Sequence, residues 1–464
     1  MSDIKVREMQ FGEDALCVIY ISNYSSKDMI SRQIIKPVSE AYLRGEKHVD
    51  VKDVITSAAV AETATKQDAL KKLLSGAAIV LHTSDVSFGL SVMTKNEEGR
   101  SISEPETENV IRGPHEGFTE SAEVNVMMLR RRLKTEKLKK EDFTVGEKSG
   151  TDVFLMYIDG VANEKLIAEA RRRIGLIKTD GVTDSGTVEI YIQDGRRSIY
   201  PTVGNSERPD KVAAKLLEGR VAVIVDGSPV VLTAPYLFCE AFQVTEDYAK
   251  SPWYASFIRL MRLFAFLIAI YLPALFVALE EFHRNMLSPE ILSAIDSARE
   301  NLPFSVFWEV MVIFLIFETV REVGLRMPKA VGAAVGLVGS LILGDSAIEA
   351  GVASAPVLIV VALAAVCNFI VPPYMHPNIL YRFSLIIMSG TLGLFGFFLG
   401  TFIGLAVMCG KDSFGVPYFV PFAPIYPKGL KDFPIMTPIW SMTEAPSAIT
   451  GKKIVRAKEK EKNI

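Results

Sequence analysis

The sequence predicts a protein of two parts: an α/β N-terminal region that is soluble in water, followed by an all-α multi-pass transmembrane domain. Two observations predict this fold class. Charged residues crowd the first 250 of the 464 positions, whereas residues 257–426 are mostly apolar with long uncharged stretches. Within the first 250 residues, short apolar runs of strand length alternate with helix-like patterns, as they do in α/β units.

Two pairs of similar segments indicate that the soluble region contains two similar subdomains. Asp14–Ile21 resembles Asp152–Asp159, and each is an apolar run of strand length. Lys72–Leu81 resembles Lys215–Ile224, and each has the pattern of a helix end, a glycine cap and a buried strand. The predicted domains are residues 1–145 with a linker helix, residues 146–250, a transmembrane helical domain over 251–426 and a basic C-terminal tail over 427–464.

Five apolar stretches are predicted membrane spans, because a bilayer core of roughly 30 Å needs about 20 apolar residues per helix. They are Phe257–Leu279, Pro303–Val320, Lys329–Gly344, Ser354–Val371 and Phe383–Cys409. The loop charges alternate in a way that places the soluble region inside. Five spans put the C-terminus outside, whereas the basic tail favours inside. The segment Phe414–Tyr426 could resolve this conflict either as a re-entrant half-helix or as a short sixth crossing, and the sequence favours neither.

Several classes of function lack the residues that they need. The net charge of −3 argues against a nucleic-acid partner. The four cysteines form no CxxC motif and the five histidines no HxxxH motif, so the sequence predicts neither a metal site nor a cofactor. No nucleophile accompanies the acidic residues, so no catalytic residue is assigned and the protein is predicted not to be an enzyme.

Two polar motifs of the soluble region are candidate structural or inter-subunit contacts. The first, within residues 104–120, combines acids with glycine and proline, which fix special backbone angles. Its arginine is expected to pair with a flanking carboxylate. The second opens a predicted helix, with proline in the first turn. The candidate residues are Glu108, Arg112, Gly113, Pro114, Glu116, Gly117, Glu120, Glu207, Arg208, Pro209 and Asp210.

Four residues of the predicted spans are candidates for lining a pore: Glu309, Glu318, Gly396 and Gly400. Carboxylates within a span usually face a bundle interior or water. Nine residues turn a helix by about 900°, so the two glutamates lie on opposite faces. Glu318 alternatively forms a local pair with Arg321, one turn away. For the glycines, close helix packing is the simpler interpretation and a gate the alternative.

The motifs resemble those of the A subunits of GerA-type spore germination receptors, and the resemblance covers nearly the whole chain. One position departs from the family pattern, which usually has arginine where His115 stands. The residues that carry the resemblance are Glu108-x-x-x-Arg112-Gly113-Pro114-His115-x-Gly117-Phe118-x-Glu120, then Glu207-Arg208-Pro209-Asp210, and Pro421-Phe422-Ala423-Pro424 after the last span.

The resemblance implies a protein of the spore inner membrane, and the loop charges place its N-terminal domain in the cytoplasm. Its partners are then membrane lipids, a B-type multi-pass subunit that binds nutrient germinants, a C-type lipoprotein, and further copies of the chain that together line a cation channel. An accessory spore channel protein of the same family, which amplifies ion release, is the alternative. A secondary transporter is disfavoured, because transporters commonly repeat their membrane half whereas this repeat lies in the soluble half.

Overall fold

The computed structural model describes residues 3–454 with gaps. The gaps are 13, 23, 45–49, 58, 83–88, 95–103, 106–107, 109–111, 196–197, 301, 328–343, 345, 428, 443 and 453. Apart from Gly344, the third predicted span falls in the longest gap and lies outside the described residues. The same holds for the charged end of the predicted tail.

The first soluble unit is a five-stranded antiparallel sheet with helices packed on it. Its strands β1 to β5 are Ile4–Phe11, Asp14–Ile21, Val60–Glu62, Ala77–His82 and Leu90–Met93, in the order β1-β2-β4-β5-β3. Its helices α1 to α4 are Lys27–Met29, Lys36–Leu43, Val51–Val54 and Lys66–Leu73, with a π-helical segment Ile30–Ile35 between the first two. Leu16 and Val18 of β2 are both fully buried, because alternate residues of a strand share one face.

The second soluble unit has the same design. Its strands β6 to β10 are Leu138–Val145, Thr151–Ile158, Gly204–Ser206, Val221–Val225 and Val231–Ala234, in the order β6-β7-β9-β10-β8. Its helices α5 to α8 are Ala122–Arg132, Glu164–Gly175, Ser185–Ile192 and Pro209–Leu217. Every residue of the central strand β9 is buried, because helices cover both faces of the sheet.

The segments that look alike in sequence occupy matching positions in the two sheets. Asp14–Ile21 is β2, and its counterpart lies on β7. The helix–glycine–strand segments are α4–β4 and α8–β9, and the glycines between them, Gly76 and Gly219, have φ values of 95° and 90°. A glycine that ends a helix needs this left-handed conformation. The common strand order supports the interpretation that the two units are copies of one design.

The edge strands β1 and β6 were not predicted as strands, because polar and charged residues make up much of both and leave little apolar pattern. In the structure α5 and β6 belong to the second unit, since α5 packs on α8 and β6 pairs with β7 along its whole length. The predicted domain boundary between residues 145 and 146 therefore falls between two paired strands.

The C-terminal region is helical, as predicted. Its helices α9 to α13 are Pro252–Phe282, Pro289–Arg299, Val306–Arg326, Ala355–Asn368 and Met375–Cys409. The central helix α9 packs against α11, α12 and α13. Among the described helices, two stretches are long and apolar enough to cross a membrane by length and composition: Pro252–Phe282 and Pro372–Cys409. The number of crossings stays a prediction.

Helix α13 is folded into two antiparallel arms. Gly393 has φ 62° and ψ −142°, which interrupts the helix. The arms, 375–392 and 394–409, are each roughly 25 Å long, close to the thickness of a bilayer core. The predicted single span Phe383–Cys409 is thus part of a folded pair. The glycines of the second arm meet the first arm in antiparallel order: Gly396 lies against Met388, Gly400 against Leu385 and Gly404 against Tyr381.

The chain beyond α13 returns to the second soluble unit. The short strands β11 (Asp412–Ser413) and β12 (Val416–Pro417) pair with each other. Ser413 Oγ accepts a hydrogen bond from Tyr236 N at 2.9 Å and donates one to Thr202 O at 2.6 Å. The segment Phe414–Tyr426 therefore neither re-enters nor crosses the bundle. The soluble region and the described C-terminal segment lie at the same end of the helices.

Candidate functional site: the junction of soluble and helical regions

The two predicted polar motifs meet in the second soluble unit, where Glu108 bridges them. Its Oε2 accepts a hydrogen bond from Ser206 Oγ at 2.5 Å, and its Oε1 pairs with Lys211 Nζ at 2.5 Å. The backbone adds a direct link, because Phe118 N donates to Glu207 O at 2.7 Å. The two motifs of one chain are therefore held together by hydrogen bonds and an ion pair at the start of α8.

The second motif builds the start of α8. Pro209 occupies the first turn of the helix, as predicted. Arg208 is buried just before it and donates two hydrogen bonds to Asp210, from Nη2 to Oδ2 at 2.7 Å and from Nε to Oδ1 at 3.1 Å. Such a two-point pair is stronger than a single contact and fixes the guanidinium.

The end of the first motif is held to α5 and to the turn after β9. Glu116 binds both Arg131 and Arg132, the latter through Oε2 at 2.6 Å. Gly117 is buried. The carbonyl of Glu120 accepts a hydrogen bond from Gly227 N at 2.8 Å. The basic end of α5 thus has partners in its own chain.

The middle of the first motif lies at the surface. Arg112, Gly113 and Pro114 are all exposed. Within the described part of the chain Arg112 has no ion pair, and the neighbouring Glu106 lies outside the described residues. His115 Nδ1 stands 3.5 Å from Glu104 Oε1. An inter-subunit contact through this exposed stretch stays a prediction.

Glu309 lies at the end of the bundle remote from the soluble region and is 1% exposed. Its Oε1 accepts a hydrogen bond from Arg299 Nε at 3.0 Å. Its Oε2 accepts from Ser354 N at 3.0 Å and from Ser354 Oγ at 2.9 Å. Arg299 belongs to α10 and Ser354 precedes α12, so this carboxylate of α11 joins three helices. Lining of a pore by Glu309 stays a prediction.

Glu318 forms the centre of a different polar cluster. It does pair with Arg321, from Oε2 to Nη2 at 2.8 Å, and its Oε1 also binds Arg382 Nη2 at 2.7 Å. Arg382 is fully buried, and its guanidinium lies 4.1 Å from the ring centroid of Phe314. The two glutamates therefore have separate partners, as their opposite faces require.

Gly396 and Gly400 are buried where the two arms of α13 touch. A Cβ on Gly396 would lie 1.9 Å from the carbonyl oxygen of Met388. A Cβ on Gly400 would lie 2.6 Å from Leu385 Cδ2. Both positions need a residue without a side chain if the arms are to pack this closely. Pore lining by these glycines stays a prediction.

Two arginines at the start of α9 anchor it to the soluble region. The fully buried Arg259 donates from Nε to Asp247 Oδ2 at 3.1 Å and from Nη1 to Asp432 Oδ1 at 2.9 Å. Arg262 donates to both oxygens of Asp247, at 2.7 and 2.9 Å. Burial would raise the pKa of Asp247, but hydrogen bonds from Arg262 and Arg259 hold it below its ordinary value.

Phe414 attaches the exit of α13 to the core of the second soluble unit. Its φ of 50° is uncommon for a bulky residue. Its side chain is buried in the apolar layer under α6 and α7, with the Arg173 guanidinium 4.1 Å from the ring centroid. Its N–H donates to Asp194 Oδ2 at 2.7 Å, and Asp194 Oδ1 accepts from Arg173 Nη2 at 2.5 Å. This end of α13 therefore cannot move without disturbing α6.

A second buried ion cluster lies beside this junction. Glu240 pairs with Lys215 at 3.2 Å and with Arg220. Lys215 Nζ also donates to Thr233 Oγ1 at 3.0 Å. Burial lowers the pKa of Lys215 to about 8. Burial alone would raise the pKa of Glu240, but Arg220 and Lys215 hold it below its ordinary value. Glu240 is a single carboxylate between two cations. Because Arg220 lies closer to it, the positive charge of Lys215 is only partly neutralised.

Sequence reasoning did not find Asp247, Asp432 or Phe414. Two of these residues have partners that are distant in the chain: Asp432 is 173 residues from Arg259, and Phe414 is 220 residues from Asp194. The sequence did contain one signal for this site, because Arg259 and Arg262 stand directly before the apolar run of α9. In the part of the chain that the structure describes, no group of three His, Cys, Asp or Glu residues could hold a metal ion.

Comparison with known proteins extends over both regions. Residues 1–448 match the family model of the Bacillus/Clostridium GerA spore germination protein. The uncharacterized membrane protein YfkQ of Bacillus subtilis (strain 168) is 36% identical, over 100% of this chain and 92% of that protein. Spore germination protein KA of the same organism is 36% identical, over 98% of this chain and 85% of that protein.

Two further comparisons come from other species. Spore germination protein GerLA of Bacillus cereus is 32% identical, over 99% of this chain and 95% of that protein. The crystal structure of the N-terminal domain of the A subunit of the Bacillus megaterium spore germinant receptor GerK3 is 33% identical. It covers 51% of this chain and 89% of that chain, with a TM-score of 0.39.

Proposed function

Because the chain belongs to the Bacillus/Clostridium GerA family of spore germination proteins, we propose that it is the membrane subunit of a spore nutrient-germinant receptor complex. Its copies assemble into an ion-conducting channel that triggers germination. The partners are a B-type multi-pass subunit and a C-type lipoprotein. The complex lies in the spore inner membrane, with the soluble region in the cytoplasm.

The observation that supports a signalling role most directly is the attachment of the helical bundle to the soluble region at two places. Helix α9 begins at the Asp247 cluster, and the chain that leaves α13 is fixed by Phe414 in the core of the second soluble unit. A small displacement within that unit would therefore shift α9 and α13 together. Packed interfaces of this kind tend to move between discrete arrangements rather than deform gradually.

The polar interior of the bundle supports an ion-conducting role. Arg382 and Glu318 are charged groups within an apolar set of helices, where they are costly unless paired. Charged residues in membrane helices commonly mark ion pathways and mobile elements. A helical anchor that served only to hold the soluble region at a membrane would not need them.

We expect Phe414→Ala to slow nutrient-triggered ion release from spores. Losing the buried ring loosens the contact between α13 and α6, so less of any movement in the soluble unit reaches the helices. Coupling between sites of this kind typically corresponds to a roughly 5- to 150-fold effect. The measurement is the rate of cation release after spores that carry this receptor alone are mixed with nutrient broth.

The matched control is Phe395→Ala, which removes a ring that is 68% exposed on α13, the helix that precedes Phe414. Both variants are first checked for wild-type abundance in spore membranes. Wild-type ion release by Phe414→Ala spores would reject the coupling role. A purified complex that stays monomeric in this subunit and shows no conductance in planar bilayers would reject the channel.

A further inference from the structure

An apolar crevice opens on the side of the helical bundle nearest the soluble region. It has a volume of about 290 Å³ and lies between α9 and the second arm of α13. Phe266 and Ile270 of α9 and Leu405 and Met408 of α13 line it, together with Phe419 of the C-terminal segment. An apolar cavity of this kind holds water poorly, so it favours an apolar occupant.

The crevice lies at the depth where a bilayer would meet water. On α9, Arg262 is anchored to the soluble region one turn before Phe266, which marks the aqueous side. Leu267 lines the crevice and, like Phe264, is exposed on the outer face of α9. Tyr200, a buried residue of the second soluble unit, also lines the crevice, so the crevice borders the soluble region directly.

Lys411, which has no acidic partner among the described residues, lies beside Tyr200, a residue that lines the crevice. Lys411 follows the last turn of α13, and its Nζ lies 5.6 Å from the ring centroid of Tyr200. It donates a hydrogen bond to the neutral Ser198 Oγ, and no described carboxylate pairs with it. Burial lowers the pKa of Lys411 below its ordinary value, as expected for a cation that no carboxylate compensates.

We propose that the crevice binds one acyl chain of an anionic membrane phospholipid, whose phosphate pairs with Lys411. The acyl chain would cover the apolar walls of the crevice, and the phosphate would supply the negative charge that Lys411 lacks among the described residues. Anionic headgroups are attracted to lysine and arginine at a membrane surface. A second copy of the chain packed on the same walls would have to bring a carboxylate to the depth of Lys411 to satisfy it equally well.

A lipid at this position would touch three parts of the molecule at once: α9, the exit of α13 and Tyr200 of the second soluble unit. Those are the parts that meet at the junction. Because a ligand shifts an equilibrium by its different affinities for two states, lipid occupancy would bias how the bundle sits against the soluble unit.

The test uses the full chain in nanodiscs of phosphatidylcholine and phosphatidylglycerol, with retained lipid measured by native mass spectrometry. The wild-type chain should retain phosphatidylglycerol preferentially. Lys411→Ala should weaken that retention about fivefold, the effect expected of one lysine at an anionic surface, and Lys411→Arg should restore it. Lys250→Ala is the matched control, since Lys250 pairs with Glu246 and should not affect lipid.

The acyl-chain part is tested by filling the crevice. Leu405→Trp should expel phosphatidylglycerol, whereas Ile403→Trp, on an exposed position of the same arm outside the crevice, should not. Equal retention of both lipids by the wild type, or unchanged retention in Lys411→Ala and Leu405→Trp, would overturn the proposal. So would a Leu405→Trp chain that changes its number of copies per particle but not its bound lipid. These readouts count lipid and chains, so they are independent of conductance.

Discussion

At the scale of the residue, the stability of the junction depends on how each buried carboxylate is shared. Asp247 faces two arginines, and Glu240 faces Arg220 and Lys215. Removing one member of a buried pair leaves an uncompensated charge and typically costs about 3–5 kcal/mol. Lys215 is the exception, because Arg220 makes the closer contact with Glu240. Loss of the lysine charge should therefore be tolerated while loss of the glutamate charge should not.

We expect the folded chain to become more stable as pH rises from about 8 to about 10, through Lys215. Its pKa is about 8 when folded, whereas that of an unfolded lysine is about 10.4. Between these values the unfolded chain holds a proton that the folded chain has released, so the free energy of unfolding rises with pH. The full difference corresponds to roughly 3 kcal/mol. Below pH 8 both states hold the proton, so this contribution is flat.

Thermal unfolding of the detergent-solubilised chain at about pH 7.5 and about pH 9.5 measures this contribution. Other groups also titrate, so the informative quantity is the difference between the wild type and Lys215→Met. Lys211→Met is the matched control, because Lys211 lies on the same helix but is half-exposed and pairs with Glu108. If the wild type and Lys215→Met show the same pH dependence, the assignment to Lys215 is wrong.

At the scale of the element, the fold of α13 depends on Gly393. We expect Gly393→Ala to destabilise the helical region by about 1–3 kcal/mol. Its φ of 62° with ψ of −142° is a conformation that residues with a Cβ avoid. A Cβ there would also lie 3.0 Å from His283 Cε1 and from the Phe282 side chain.

Gly324→Ala in α11 is the matched control, because nothing lies within 4 Å of a Cβ at that position and alanine favours a helix. Denaturant unfolding of both variants in the same detergent gives the comparison. A Gly393→Ala chain as stable as the Gly324→Ala chain would mean that α13 does not fold back at this glycine.

The predictable elements are those whose signal is local. The apolar runs of α9 and α13, and the helix–glycine–strand pairs of the soluble units, are patterns within a few residues, and each lies where the sequence indicated. The fold at Gly393 was not predictable, because its sequence context resembles that of Gly396. What distinguishes it is the approach of Phe282, which is distant in the chain. Phe414 was missed for the same reason, since its partners lie in the second soluble unit.

At the scale of the whole molecule, the soluble region, the start of α9 and the C-terminal segment form one connected body. Asp432 and Met436 of the C-terminal segment bind Arg259 and Ser256 of α9. Tyr418 accepts a hydrogen bond at its carbonyl from Phe238 N at 3.0 Å. An arrangement with an odd number of crossings would separate these partners across the membrane. From these contacts we expect an even number of crossings.

Single cysteines at three exposed positions test this arrangement, in a chain whose native cysteines are replaced by alanine. Leu43 of the first soluble unit, Ile425 of the C-terminal segment and Met286 beyond the end of α9 are 86%, 72% and 66% exposed. We expect Leu43→Cys and Ile425→Cys to react with a membrane-impermeant maleimide from the same side of sealed vesicles. Met286→Cys should react only from the opposite side, because α9 separates it from the soluble region.

The labelling pattern separates the two topologies without reference to function. Five crossings would expose Ile425→Cys together with Met286→Cys, which would contradict the packing of the C-terminal segment on the second soluble unit. Labelling of Ile425→Cys from the side of Leu43→Cys would leave Ser413, Tyr418 and Asp432 free to make the contacts that hold the bundle to the soluble region. Detergent-opened vesicles provide the control, since all three cysteines should then react equally.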